Sequence, residues 1–300
     1  MKARDNKLPL VPGRDSVPFV VALAACLAAG VAANGVERAG QVLLLAACTT
    51  GAAVLTALVA SKLGHRARIP GALTAGLLFV LTLPAGTAVL PATGAMVFGW
   101  IAAREVFRTV QRSFVHPAVL AHVFLGLTWP QAMGAASLWL PPEGQVVSGA
   151  DWFFLRGPGG ALGGASALVC ALAAVVLIAL RQLPWRVVFS VPLGMAVALG
   201  VLGWAGVPGS GYSLSTHLLL GAVTFGAVFL ATDPASSPSS NGGRWWHGAT
   251  IGFVVIVLRL SNPARPEGTL AAILLASIFA PLVDRAMAAG RRRRDQVFHG

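Results

Sequence analysis

A chain of 300 residues with 22 Lys and Arg against 10 Asp and Glu carries a formal charge of +12 at pH 7, yet only 11% of its residues are charged and 56% are hydrophobic. With a mean hydropathy of +0.76, an ordinary soluble domain, about 25% charged, is excluded and the chain belongs in a bilayer. The basic excess is read as membrane topology and not as a nucleic-acid footprint, because of where the charges fall.

Lys2, Arg4, Lys7 and Arg14 mark residues 1–16 as a cytoplasmic tail. Ten apolar runs follow, at roughly 17–35, 39–61, 70–83, 88–104, 117–136, 162–180, 186–205, 213–232, 247–262 and 268–289, and each is read as a helix crossing the membrane. The expected fold is an all-α integral membrane protein. Residues 17–136 form a first membrane repeat, 137–161 an external loop, and 162–289 a second repeat. The segment "GRRRRDQ" opens a basic cytoplasmic tail over 290–300, anchored at the anionic inner leaflet.

With the N-terminus inside, 18 of the 22 basic residues fall on the cytoplasmic side. Arg38, Arg156, Arg259 and Arg265 are left outside. This asymmetry predicts ten crossings with both termini cytoplasmic, in a bacterial inner membrane. The first run has the charge flank of a signal peptide, but removing it would invert the pattern of every later loop. Cys26, Cys48 and Cys170 lie inside helices without ligand spacing, and are read as small buried apolar residues.

The two halves repeat. "GALTAGLLFVLTLP" (71–84) matches "GAVTFGAVFLATDP" (221–234) at Gly71/Gly221, Ala72/Ala222, Thr74/Thr224, Gly76/Gly226, Phe79/Phe229, Thr82/Thr232 and Pro84/Pro234, all at an offset of 150. The same offset aligns "AVLAHVFL" (118–125) with "GTLAAILL" (268–275). Half the chain separates the copies, as a duplication requires. An odd number of crossings per copy makes the halves inverted, and such folds place their site at short, Pro-interrupted helices near the midplane. Asp233, Glu267 and Asp284 are acids at helix ends in the second half. They are the candidates for an ion or proton pathway, together with Thr82 and Thr232 at the matching ends of the repeated segments. The competing reading of Asp233 is a cap for the turn "DPASSPSSNGG".

The second half, "FLATDPASSPSSNGGRWWHGATIGFVVIVLRLSNPARPEGTLAAILLASIFAPLVD" (229–284), resembles the membrane subunits RnfD and NqrB of the Rnf and sodium-pumping NADH:quinone oxidoreductase complexes. The ATDP turn, the PEG and the closing APLVD carry the likeness. Upstream, "GALTAGLLFVLTLP", "HPAVLAHVFL" and "GGASALVCALAAVVLIALRQLPWR" extend it over about residues 68–286. Lacking the long N-terminal extension of NqrB, the chain looks closer to RnfD. The resemblance implies a urea-transporter-like fold of two inverted five-helix halves, and a place among other membrane and redox subunits.

It also implies a flavin site, because relatives join FMN to a threonine hydroxyl in a motif D-x-x-S/T-G-A-T. Here the positions hold Gln145, Val146, Val147, Ser148, Gly149, Ala150 and Asp151. A carboxylate cannot form that stable phosphoester, and its charge repels the phosphate. The loop is read as the remnant of a site, and covalent FMN is not expected. Relatives also carry a Gly-rich, Asn-containing segment where this chain reads "FRTVQRSFVHPA" (107–118), with Arg108 and Thr109 at the paired glycines. His122 stands where relatives tend to have Arg. Arg108 and Arg112 are read as ordinary charges at the inner leaflet.

Three further readings stay open. Trp152, Phe153 and Phe154 suit either stacking on a noncovalent flavin or anchoring at the interface. His122 and His217 could ligate a haem from opposite faces. A small-solute channel, or a cofactor-free scaffold subunit, would use the same fold. The chain shows no G-x-G-x-x-G after a strand and no cysteine cluster, so the other redox carriers belong to partners. The expected role is a subunit of an electron-transfer complex with ion coupling.

Overall fold

Prolines and capping hydroxyls start several of the helices in the computed structural model, which describes residues 16–63, 69–107, 115–133, 160–207, 213–219, 222–261 and 268–299. The first 15 residues, Arg108 to Arg112, the loop with Gln145–Asp151 and Trp152–Phe154, Arg156, Arg265 and Glu267 lie outside the described residues. Helix α1 (Val17–Asn34) has Pro18 in its first turn, and α2 (Val36–Lys62) follows after Gly35 at φ +77°. Helix α3 (Ile69–Leu81) stops before Pro84, and α4 (Val89–Ile101) passes into a single π turn, Ala102–Val106. In α5 (Pro117–Thr128), the His116 ring accepts the Ala118 N–H at 3.2 Å as the N-cap. Helix α6 (Ala167–Ala179) is capped by the Ser166 hydroxyl, which accepts from Val169 N–H at 3.3 Å.

The rest of the second half comprises α7 (Trp185–Trp204), α8 (Leu214–Leu219), α9 (Val223–Phe225, continued as a π turn over Gly226–Leu230), α10 (Asn241–Ser261) and α11 (Thr269–His299). Among the described residues, four spans are long and apolar enough to cross a bilayer: Val17–Asn34, Val36–Lys62, Trp185–Trp204 and Thr269–Ala289. Large apolar side chains such as Leu43, Leu55, Leu90, Leu172, Phe189 and Ile278 face outward. A soluble monomer does not leave so much apolar surface wet. The protein is an all-α, multi-pass membrane protein.

Several boundaries differ from the sequence expectation, each for a local reason. The run expected over 213–232 is divided into α8 and α9, with Ala222 in a turn. The α-helix expected to reach 136 ends at Thr128, because Pro130 disfavours helical geometry at Trp129, and a short 3-10 turn follows. Helix α10 begins at Asn241, ahead of the expected 247, and α11 runs on to His299 through the segment expected as a separate tail.

Packing joins the two halves through their first helices. Ser16, before α1, donates to Gln182 Oε1 beyond the end of α6 at 2.7 Å. At the other end of α1, Gly30 lies against the backbone of Leu162, ahead of α6. Helices α1 and α6 therefore run antiparallel. Phe19 of α1 meets Phe229 edge-on at 5.7 Å, and Phe229 tilts against Phe225 at 4.9 Å. The chain entering α6 is tied to the end of α3, where Leu162 N–H donates to Leu83 O at 2.9 Å beside a Pro84–Ala161 bridge.

Helices α7 and α10 approach to backbone contact. A Cβ on Gly194 would strike the Ala249 carbonyl, and one on Gly248 or Gly252 would strike Ser190 or the Val191 carbonyl. The spacing Gly248–Gly252 is the small-xxx-small pattern that membrane helices use where dispersion replaces the hydrophobic effect as the driving force. In the first half, Gly76 of α3 does the same against Thr50 of α2.

Candidate functional site

The two repeated segments end in different chemistry. Thr82 N–H donates to Phe79 O at 2.9 Å and Leu83 N–H to Val80 O at 3.0 Å, tightening the last turn of α3 before Pro84. The Thr82 hydroxyl also donates to Phe79 O, at 2.6 Å. Having spent its one hydrogen there, it accepts from His122 Nδ1, which lies 3.0 Å away on α5. This fixes the Nδ1–H tautomer of a buried histidine and leaves Nε2 as the acceptor.

At the matching position Thr232 is fully buried, and its hydroxyl donates to Val228 O at 2.5 Å. Asp233 follows, only 4% exposed. Its carboxylate accepts the Ala235 N–H at 3.4 Å and the Ser236 hydroxyl at 3.2 Å, while its carbonyl accepts Ser237 N–H at 2.8 Å. The acid thus caps the turn that leaves α9, and it does so away from bulk water. Both properties coexist in one side chain.

Asp284 on α11 closes the other end of that turn. Ser239 N–H donates to both its oxygens, at 3.1 and 3.0 Å, the Ser239 hydroxyl donates at 3.0 Å, and Ser240 N–H donates at 3.2 Å. Ser240 then caps α10 by accepting Gly243 N–H at 3.1 Å. A carboxylate here also complements the positive end of the α10 dipole. The structure therefore brings Asp233 and Asp284 to one connecting segment, 233–240, and places Thr82 elsewhere, with His122. Glu267 lies outside the described residues, as do Ser148, Gly149, Ala150 and Asp151.

Two buried groups escape the sequence reading. Arg259, sorted by charge to the outside, is 1% exposed in the last turn of α10, where its Nη1 donates to His217 O at 2.7 Å. The signal is present in the spacing His247, Ile251, Val255, Arg259, a strict i+4 row that puts the arginine on the buried face. His247 itself is buried in that row. The cysteines are free, with Cys26 and Cys170 buried and Cys170 Sγ donating to Gly163 O at 3.1 Å.

The profile of the NQR2, RnfD, RnfE family matches residues 14–291. The chain belongs to this family. The NqrB subunit of the Na(+)-translocating NADH-quinone reductase of Pseudomonas aeruginosa (strain LESB58) is 32% identical over 252 residues, covering 77% of this chain and 62% of the relative. Its counterpart in Haemophilus influenzae (strain PittEE) is 31% identical over 247 residues, covering 74% and 60%. The counterpart in Ectopseudomonas mendocina (strain ymp) is 32% identical over 236 residues, covering 71% and 59%. The chain spans about three-fifths of the length of the curated relatives it matches. In this member of the NQR2, RnfD, RnfE family, Asp233 and Asp284 meet at the turn after α9.

Proposed function

We propose that the protein is a membrane subunit of an electron-transfer complex, embedded in a bacterial inner membrane with both termini cytoplasmic and coupled to ion movement. Family membership over residues 14–291 is the observation that carries this reading. Relatives are subunits of a complex whose name states both Na+ translocation and NADH–quinone chemistry. Ten crossings in two inverted five-helix halves is the arrangement that fits. The antiparallel packing of α1 against α6, which stand at the offset of 150, supports it. So does the recurrence of one neighbourhood, since α4 packs on α2 and α5 as α10 packs on α7 and α11.

The ion route is assigned to the end of α9. A helix that stops inside the membrane presents the negative end of its dipole there, and an acid beside it can balance a passing cation or proton. Asp233 is the acid so placed, with Thr232 one residue before it and Asp284 across the same turn. Electron carriers are assigned to partner subunits, and the loop at 145–151 to a flavin site that has lost its attachment chemistry. Gentle purification of the tagged protein from its native membrane tests the reading. Other membrane subunits and a redox subunit should come with it, and the assembly should move ions when given an electron donor. Recovery as a lone oligomer that passes a small solute would favour the channel reading instead.

A further inference from the structure

At one end of the second half, aromatic and cationic side chains gather on an outward face. Helix α7 begins at Trp185 with no side-chain cap on its N-terminus, and α10 brings Trp245 to it, with ring centroids 6.0 Å apart and perpendicular planes. The Arg186 guanidinium lies 4.7 Å over the Trp185 ring, and Phe189 packs edge-on to Trp185 at 6.2 Å. Trp246, next in sequence to Trp245, is exposed. Arg181, held at φ +56° in the turn after α6, and Arg244 on α10 stand at the same end. Asp233 accepts the Ala235 N–H and the Ser236 hydroxyl, and Asp284 accepts from Ser239 and Ser240. Among the described residues, no carboxylate pairs with Arg186.

Depth in the bilayer follows from α7 itself. Trp185 and Trp204 bracket the helix, and Trp204 is 92% exposed. Nineteen steps of about 1.5 Å separate them by roughly 28 Å, close to the ~30 Å hydrocarbon core. Trp185 and Arg186 therefore sit at headgroup level. From there an exposed ridge descends at i+4 spacing through Phe189, Leu193 and Val197. It is apolar throughout and runs along the length of α7.

We propose that Trp185, Arg186 and Trp245 form a specific site for the phosphate of an anionic phospholipid, whose acyl chain lies along Phe189, Leu193 and Val197. The guanidinium, oriented by the indole beneath it, offers paired N–H donors to the phosphodiester, and the uncapped N-terminus of α7 adds its dipole. The Trp245 and Trp246 rings flank the glycerol region, where amphipathic indoles are most stable. Assignment to the cytoplasmic leaflet rests on the orientation proposed above, whereas binding itself does not.

Native mass spectrometry of the full chain, purified in an uncharged detergent and titrated with phosphatidylglycerol or phosphatidylcholine, tests this directly. The wild type should retain the anionic lipid at about fivefold lower concentration than the zwitterionic one. Arg186→Gln should abolish that preference without changing the melting temperature, Trp185→Leu should weaken it, and Trp204→Leu at the other end should leave it intact. Equal retention of both lipids by the wild type overturns the proposal. So does a preference that survives both Arg186→Gln and Trp185→Leu, or one lost equally in Trp204→Leu. If millimolar inorganic phosphate displaces phosphatidylglycerol completely, the site is a free-phosphate site and the lipid assignment fails. Should Arg186→Gln not fold, Trp185→Leu and Arg186→Lys carry the comparison, with Lys keeping charge but losing the planar stacked contact.

Discussion

Asp284 takes the backbone N–H of Ser239 on both of its carboxylate oxygens, across a gap of 45 residues in sequence. A helix terminus is ordinarily capped by a residue adjacent to it. Here α10 starts under a second, distant cap supplied by α11, so the two helices can set each other's ends only in the folded state. The turn between α9 and α10 is thereby held at both extremities, by Asp233 at its start and Asp284 at its close. A segment so fixed can present Asp233 in one geometry to anything passing the end of α9.

Replacing Asp284 with alanine removes every acceptor for Ser239 and Ser240 N–H groups at once. The site is open to solvent on one side, so water recovers part of the loss. The expected destabilisation is ~1–2 kcal/mol, the range of a helix N-cap. Asp284→Asn should retain roughly half of the stabilisation, because one amide oxygen still accepts. Thermal unfolding of the purified variants measures both, and an Ala variant as stable as the wild type would remove the capping role.

Asp233 has a dual placement, and the two roles separate by substitution. Asp233→Asn keeps an oxygen for Ala235 N–H and should preserve the fold and assembly. If the carboxylate charge serves the ion route, ion uptake by the assembled complex should fall severalfold in this variant while its melting temperature stays unchanged. Uptake equal to wild type would reduce Asp233 to a turn residue.

The His122–Thr82 pair carries its own test. Thr82→Val is close to isosteric, but it leaves His122 Nδ1–H without its acceptor in a buried position. An unsatisfied buried donor costs about 1–3 kcal/mol. Thr82→Ser, which keeps the hydroxyl, should behave as wild type. Comparing the two melting temperatures isolates the hydrogen bond from the packing of the methyl group.

Close approach of α7 and α10 predicts intolerance at Gly252. Even a methyl group there meets the Val191 carbonyl, which is backbone and cannot rotate away. Gly252→Ala should cost about 1–3 kcal/mol through overpacking, and Gly252→Leu should prevent recovery of monodisperse protein. Gly200, with nothing near its missing Cβ, should accept alanine freely. Size-exclusion profiles of the three variants check the contrast.

How much is legible in the sequence depends on how local the cause is. Helix α1 is legible because Pro18 and a continuous apolar run are contiguous signals. The start of α10 at Asn241 is not, because "SPSSNGG" reads as a turn until Asp284 arrives to cap it. The burial of Arg259 is missed when only its charge is weighed, although the row from His247 already puts it on the buried face. The break between α8 and α9, and the π turn over Gly226–Leu230, are not legible, because 213–232 holds no proline and hydrophobic periodicity does not separate an α turn from a π turn. At Asp233 the residues allow a cap or a functional acid, and tertiary burial shows that the cap is also desolvated.

The loop "QVVSGADW" (145–152) bears the last prediction, which rests on chemistry more than on geometry. Attachment of a flavin nucleotide through a phosphoester needs an alcohol oxygen as nucleophile, and Asp151 offers a carboxylate, whose phosphoryl product would be a hydrolysable acyl phosphate. Its negative charge also opposes the approach of a phosphate. Gln145 at the head of the motif removes a further acid from the segment that the transferase reads. We therefore expect no covalent flavin on this protein, even with a flavin transferase co-expressed. The measurement is in-gel flavin fluorescence after denaturation, which discards any noncovalent flavin held by Trp152, Phe153 or Phe154. It is made on the wild type and on an Asp151→Thr, Gln145→Asp double variant. A fluorescent wild-type band overturns the expectation. Fluorescence confined to the double variant would show that the loop keeps the shape of an acceptor and lacks only its hydroxyl and its recognition acid.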